Sequence, residues 1–178
     1  DRKLGVGEYI SIDLNNMGLM YHLKGKYKEA IEHYQESLAI DQKLGIKNTS
    51  TTLNNIGMVY RAWGLYKKAM EYVQQGLDIN RELGNEAETA INFNNIGLVY
   101  GAWGQYDRAI ENFKTSLEIN RKFGRQGGIP NNLNNIGMMH QSWGQFEKAI
   151  SYFQQALTIQ RNLGSEHMIE VLLGNIGL

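Results

Sequence analysis

The sequence predicts an all-α protein, a solenoid of antiparallel helix pairs, and three observations predict it. The 178-residue chain repeats itself: LNNIGMVYRAWGLYKKAMEYVQQGLDINRELG at 53–84 returns as FNNIGLVYGAWGQYDRAIENFKTSLEINRKFG at 93–124 and as LNNIGMMHQSWGQFEKAISYFQQALTIQRNLG at 133–164, with a diverged copy at 14–45. Self-similarity at a fixed period of this length is the mark of a repeat architecture. Within each copy the apolar residues recur at i, i+3, i+4 and i+7, the spacing of one helix face. Glycines stand at fixed points where a helix would have to end, since Gly accepts the left-handed conformation just past a helix terminus.

Taken in order, the first helix of a copy carries Leu53, Ile56, Gly57, Tyr60 and Trp63 on one face and stops at Gly64. Trp63, Trp103 and Trp143 fall on that side and are expected to pack between helices rather than to grip a partner. The second helix buries Tyr66, Ala69, Met70, Val73 and Leu77 and stops at Gly84, with Gly45, Gly124 and Gly164 as its counterparts. Gly inside a helix costs roughly 0.5–1 kcal/mol relative to Ala. Its recurrence at Gly57, Gly97 and Gly137, opposite Ala69, Ala109 and Ala149, therefore implies a close helix–helix approach. Gly57, Gly97, Gly137 and Gly177 lie 40 residues apart, and Gly18 lies 39 before Gly57.

These spacings set the expected domain organisation: one solenoid over 1–178, with repeats at about 6–45, 46–84, 85–124 and 125–164 between partial repeats at 1–5 and 165–178. Asp1–Gly5 matches the closing Asn80–Gly84, and Leu173–Leu178 reads as part of another first helix. Natural solenoids end in polar caps, and neither end carries one, so a fragment of a longer array is expected. The alternative is a complete chain whose last helix acts as the cap.

The recurring N-N-I-G-x-x-Y-x-x-W-G-x-Y-x-x-A-I resembles the tetratricopeptide repeat over the whole chain. The period exceeds the usual length of about 34 residues. It is similar to the extended class found in kinesin light chains, in cell-polarity scaffolds and in bacterial signalling proteins. The resemblance implies a right-handed superhelix whose first helices line a concave, peptide-binding groove. One departure is visible. The usual Pro after the second helix is replaced by Gln42, Arg81, Arg121 and Arg161, which predicts that this helix runs on by about a turn.

Composition excludes several functions. Eighteen basic and eighteen acidic residues leave no net charge, which argues against a general nucleic-acid or anionic-membrane binder. Without cysteine there is no disulfide, thiolate zinc site or thiol nucleophile. The four histidines, 22, 33, 140 and 167, form no H-E-x-x-H, and neither G-x-S-x-G nor a P-loop is present. Gly124–Gly128 follows a helix instead of the strand a phosphate cradle needs, so it reads as a loop, with Pro130 set for the next helix's first turn. Asn48-Thr49-Ser50 fits the glycosylation sequon, a motif short enough to arise by chance. No signal-like or membrane-spanning segment is visible. The expected protein is not an enzyme, takes no cofactor or metal, and works in the cytoplasm.

The feature above background is the arc opposite the core on each first helix. With Leu53 at zero and about 100° per residue, Thr51, Asn54, Asn55, Met58, Arg61 and Ala62 share an arc of about 80–200°. By the resemblance, the groove is lined by Asn15, Asn16, Leu19 and His22, then Asn54, Asn55, Met58 and Arg61, then Asn94, Asn95 and Leu98, then Asn134, Asn135, Met138 and Gln141. Asn is a mediocre helix former, so a pair in every repeat asks for a reason. One reason is an amide ladder that holds a peptide backbone, each amide offering donor and acceptor. Another is zipping of adjacent repeats, and a third is recent duplication. Arg61 is the one full charge on this face, which argues against a basic clamp for a terminal carboxylate. The expected function is a protein-interaction scaffold holding a peptide segment by Asn hydrogen bonds and Leu/Met pockets. The alternative is a self-associating module, end to end, or a regulatory or sensor segment of a larger signalling protein.

Overall fold

The computed structural model describes residues 2–47 and 49–177, with side chains from Val6 onward. Asp1, Leu178 and the sequon's Asn48 lie outside the described residues. Among the described residues the regular structure is helical: α1 (Arg2–Leu23), α2 (Tyr27–Leu44), α3 (Ser50–Ala62), α4 (Tyr66–Glu82), a 3-10 turn (Glu86–Glu88), α5 (Thr89–Ala102), α6 (Tyr106–Lys122), α7 (Gly128–Ser142), α8 (Phe146–Leu163) and α9 (Glu166–Ile176). Packing divides the chain into two compact units, Asp1–Asn85 and Glu86–Leu178. In the first, α1 packs on α2, α2 against α3, and α3 on α4. In the second, α5 packs on α6, α6 against α7, α7 on α8, and α8 against α9.

The pairs form where the pattern places them. Glycines 25, 64, 104 and 144 end the first helices and glycines 45, 84, 124 and 164 the second, all at φ between +64° and +79°. The second helices do run on: α4 includes Arg81, α6 Arg121 and α8 Arg161. Gly5 departs from its counterparts, because α1 passes through it without a break. The interior glycines are notches. A Cβ on Gly97 would sit 2.6 Å from the Phe113 ring, one on Gly137 2.5 Å from Phe153, and one on Gly57 2.5 Å from Val73 Cγ2. The opposing alanines are buried too, but the side chain filling the notch comes four residues after each of them.

The first unit's core gathers Ala30, Ile31, Tyr34, Ile56 and Val59. The second unit's core runs from Ala109, Phe113 and Leu117 through Leu133, Ile136 and Phe153 to Leu172. Full burial of side chains this size stabilises by roughly 1.5–3 kcal/mol each. Of the predicted second-helix set, Ala69, Val73 and Leu77 are buried, while Tyr66 and Met70 are half-buried.

The tryptophans lie nearer the surface than a core-side position implies, although Trp63 does pack against a neighbouring helix. Trp63, Trp103 and Trp143 are 46%, 38% and 49% exposed. Each is the residue at which its helix ends, just before the turning glycine, so the backbone leaves the core face there. Trp63 lies beside Tyr60 at 6.5 Å and Tyr27 at 6.0 Å between ring centroids.

Candidate functional site

The predicted groove residues all project from first helices. In the first unit, a hollow of about 470 Å³ gathers Asn15, Asn16 and Leu19 of α1 with Asn55 of α3, alongside Ser11, Ile12, Asp41, Thr51 and Thr52. His22, Met58 and Arg61 lie outside its lining. Asn54 is not presented at the surface: it is 5% exposed. The first Asn of the other pairs, Asn15, Asn94 and Asn134, bonds to the next helix pair, and at Asn54 the burial is nearly complete. Asn15 shows what this position does. Its Nδ2 donates to Ser37 Oγ, and its Oδ1 accepts from Thr52 Oγ1 at 3.2 Å. Ser11 Oγ donates to Asp41 Oδ1 and accepts from Ser37 Oγ at 2.8 Å, which completes a buried polar seam.

At the far end of the same two helices, His22 and Arg61 occupy equivalent positions, 39 residues apart. Both are half-buried. The His22 ring meets Tyr27 edge-on at 6.2 Å. Burial, and secondarily the Arg61 charge, push its pKa below the usual histidine value. Burial also pushes Arg61 down, with Tyr66 acting in the opposite sense. Arg61 Nε is sealed from solvent and has no hydrogen-bond partner among the described residues.

In the second unit, a cavity of about 460 Å³ gathers Asn94 of α5 with Asn134 and Asn135 of α7. Asn95, Leu98, Met138 and Gln141 lie outside its lining. Asn135 Nδ2 donates to Asn94 Oδ1 at 3.0 Å, and Asn175 of α9 repeats the bond 40 residues on, donating to Asn134 Oδ1 at 2.9 Å. The asparagines of successive pairs are therefore zipped. The zipper leaves edges open. An amide has two N–H donors and an oxygen with two lone pairs. Among the described residues, Asn94 Nδ2 and Asn135 Oδ1 have no protein hydrogen-bond partner, and both side chains line the cavity.

The sequence reading missed the residues beneath them. Asn120 Nδ2 donates to Asn132 Oδ1 at 2.7 Å, and Asn132 Nδ2 donates to Ser116 Oγ at 3.0 Å and Asn94 Oδ1 at 3.3 Å. Ser116 Oγ in turn donates to the Ala90 carbonyl at 2.7 Å. The signal was available. A polar residue recurs two positions before each Asn pair, at Asp13, Thr52, Asn92 and Asn132, on an arc that otherwise faces the core. At the cavity rim, Arg125 of the Gly-rich loop reaches Glu88 at 3.2 Å and donates to the Ala87 carbonyl at 2.6 Å. The loop thus holds the second unit's own 3-10 turn. Among the described residues no group of His, Asp and Glu is placed to hold a metal, and no helix is long and apolar enough to cross a membrane.

Comparison with known sequences decides the family. The tetratricopeptide repeat model matches residues 10–82 and 88–162. The chain belongs to the tetratricopeptide repeat family. No curated protein matches it in sequence. Solved structures of the same fold include a putative kinesin light chain of Podosopora anserina with nearly identical TPR-like repeats (TM-score 0.70, 18% identity, 96% of this chain and 88% of that one). BtubC (BKLC) from P. vanneervenii is similar (TM-score 0.73, 22% identity, 90% and 67%). So is the Rap protein complexed with competence and sporulation factor (TM-score 0.77, 18% identity, 92% and 46%). The chain spans about half the length of the Rap protein. Its tetratricopeptide helix pairs are those of a TPR-like solenoid, the fold class its sequence predicts.

Proposed function

We propose that this chain is a protein-interaction scaffold, not itself an enzyme, and that it holds an extended peptide segment against its first helices. One observation carries the reading: among the described residues, the second unit's cavity presents an unpaired amide donor on Asn94 and an unpaired amide acceptor on Asn135, side by side. A peptide main chain offers the complementary carbonyl and N–H at every residue. Ile91 and Met168 supply apolar contact at the same cavity, and Met side chains adapt to varied shapes. The Rap structure, of the same fold, is a complex with competence and sporulation factor, which supports a ligand-holding role.

The test separates ladder from zipper. Asn94→Asp keeps the Oδ1 acceptor used by Asn132 and Asn135 and removes the Nδ2 donors that face the cavity. Peptides selected from a displayed random library against the whole chain should bind the variant about tenfold more weakly, the cost of one or two hydrogen bonds. The urea midpoint should stay close to the parent's. Undiminished affinity, or a library that yields no binder, overturns the reading.

A second reading rests on α1, whose Tyr9, Ile10, Met17 and Met20 are exposed. The counterparts of Met17 and Met20 in α3, Ile56 and Val59, are buried. That stripe favours end-to-end self-association. Sedimentation velocity over a concentration series tests it, and a strict monomer at the highest concentration removes it.

A further inference from the structure

The first unit's hollow carries a charge that its neighbours do not answer. Asp41 is 7% exposed and lines that hollow of about 470 Å³. Its Oδ1 accepts from Ser11 Oγ. Among the described residues its Oδ2 has no hydrogen-bond partner, and no cation lies within ion-pair distance of it. A carboxylate has about four acceptor sites, so one hydroxyl leaves most of them open. Taking such a charge out of water without a counter-ion is costly. The backbone adds to the imbalance. Asp41 opens the last turn of α2, whose terminal carbonyls carry partial negative charge and favour a cation. Lys43 does not supply it, because residues two apart on a helix do not face each other. The other repeats place neutral amides here, Asn80, Asn120 and Gln160, so the feature is local.

We propose that this hollow is a binding site for a short aliphatic diamine. Its lining holds a second carboxylate, Glu8, which stands one helical turn before Ser11 and Ile12 on α1. Among the described residues it holds no Lys, Arg or His, and Ile12, Leu19 and Ile46 give it apolar walls. Two positive ends on an alkyl stem are the complement of that lining. One ammonium group pairs with buried Asp41 in charge-assisted hydrogen bonds. The stem lies against the apolar walls, and the second ammonium group meets Glu8 at the exposed rim. A divalent metal ion suits the donor set less well. Such an ion takes six or more oxygen ligands, and no group of three His, Asp or Glu gathers among the described residues. The site uses neither Asn94 nor Asn135, so it stands or falls separately from the peptide reading.

The experiment is a calorimetric titration of the whole chain with 1,4-diaminobutane at low salt. Saturable binding to one site is expected, with butylamine weaker and uncharged 1,4-butanediol silent. Asp41→Asn brings in the amide that two other repeats carry and keeps an acceptor for Ser11. It should lose about tenfold in diamine affinity, the scale of a charge-assisted hydrogen bond. Glu8→Gln, at the rim, should lose less, about threefold, as an exposed ion pair does. Asn94→Asp should bind the diamine as the parent does. Circular dichroism and urea midpoints check folding, and if Asp41→Asn does not fold, Glu8→Gln and the butylamine comparison decide. No saturable binding, or equal affinity for the parent and Asp41→Asn, overturns the proposal. Butylamine binding as tightly as the diamine overturns it too, because Glu8 would then be idle. So does a capped lysine tripeptide that binds in preference to the diamine, since the ammonium group would then belong to a protein partner.

Discussion

The two units build one repeat from different side chains, and the differences sort by depth. At the helix–helix notch the first unit uses Tyr34 and Val73 and the second Phe113 and Phe153, each against an interior glycine. Beneath the groove, the first unit ties its first helix pair together with Ser11, Ser37 and Asp41 and reaches the next pair through Thr52, where the second joins Ser116 and Asn120 of one pair to Asn132 of the next. On the groove the first unit has Arg61 and His22 where the second has Gly101 and Gln141. The backbone tolerates all three kinds of change because each position keeps its role, whether filling a notch, satisfying buried polar atoms or facing a ligand. The last two kinds alter what the surface can recognise.

The largest way to break the equivalence lies in the notches. Phe153 is fully buried against Gly137, and Val73 holds the same place against Gly57. Phe153→Ala should cost about 3–5 kcal/mol, because the glycine opposite has no side chain to fill the void. Val73→Ala removes less and should cost about 1–3 kcal/mol. Urea unfolding of the two variants measures the gap. Equal losses would mean that the notch is not the unit of packing.

How much of this was legible in the sequence follows the same depth order. Repeat length, helix ends and notch glycines were readable, because backbone demands fall on glycine and on a 3.6-residue period. The tryptophans misled, since periodicity treats a residue at a helix's last position as if the face continued, and at Trp63, Trp103 and Trp143 it does not. The Asn pairs were legible as special, with both ladder and zipper as readings, but the sequence could not choose between them. Whether an amide bonds its neighbour or a ligand depends on distances between repeats, which one repeat's sequence does not contain. Asn120 escaped because it looks like one more helix-surface polar until the next pair covers it, whereas Asn132 carried a signal, a polar residue on the core-facing arc, that apolar periodicity passes over.

The seams offer a smaller, sharper test. The last junction of the second unit replaces the network by Ala156, Gln160 and Leu172, all buried, where the preceding junction has Ser116, Asn120 and Asn132. Asn132→Ala strands Asn120 Nδ2 and should cost about 1–3 kcal/mol by leaving buried polar groups unpaired. The triple change Ser116→Ala, Asn120→Gln and Asn132→Leu rebuilds the last junction's set and should cost less than the single one. Denaturant midpoints of the two variants decide. If the triple change is worse, the network itself stabilises the junction, beyond being satisfied.

The smallest expected effect is a pH slope, and it again sets one repeat against the others. Position 140 is His where the other repeats have Tyr21, Tyr60 and Tyr100. His140 is 8% exposed, stacks on Tyr152 at 5.3 Å between centroids, and has Nδ1 2.9 Å from Gln145 Oε1. Burial pushes its pKa down, with the nearby Lys148 and Lys114 charges adding to this and the Gln145 bond opposing it. A histidine depressed in the folded state binds its proton more readily when unfolded. Unfolding therefore takes up a proton as pH falls below the ordinary value of about 6.5, and stability present above that pH is lost below it. His22 is depressed as well and contributes with the same sign. Urea midpoints at pH 7.5 and 5.5 should fall further for the parent chain than for His140→Tyr, which restores the side chain the other repeats carry. Identical slopes in the two proteins would place the titration elsewhere, and would mean that the one repeat with a histidine here gains no pH sensitivity from it.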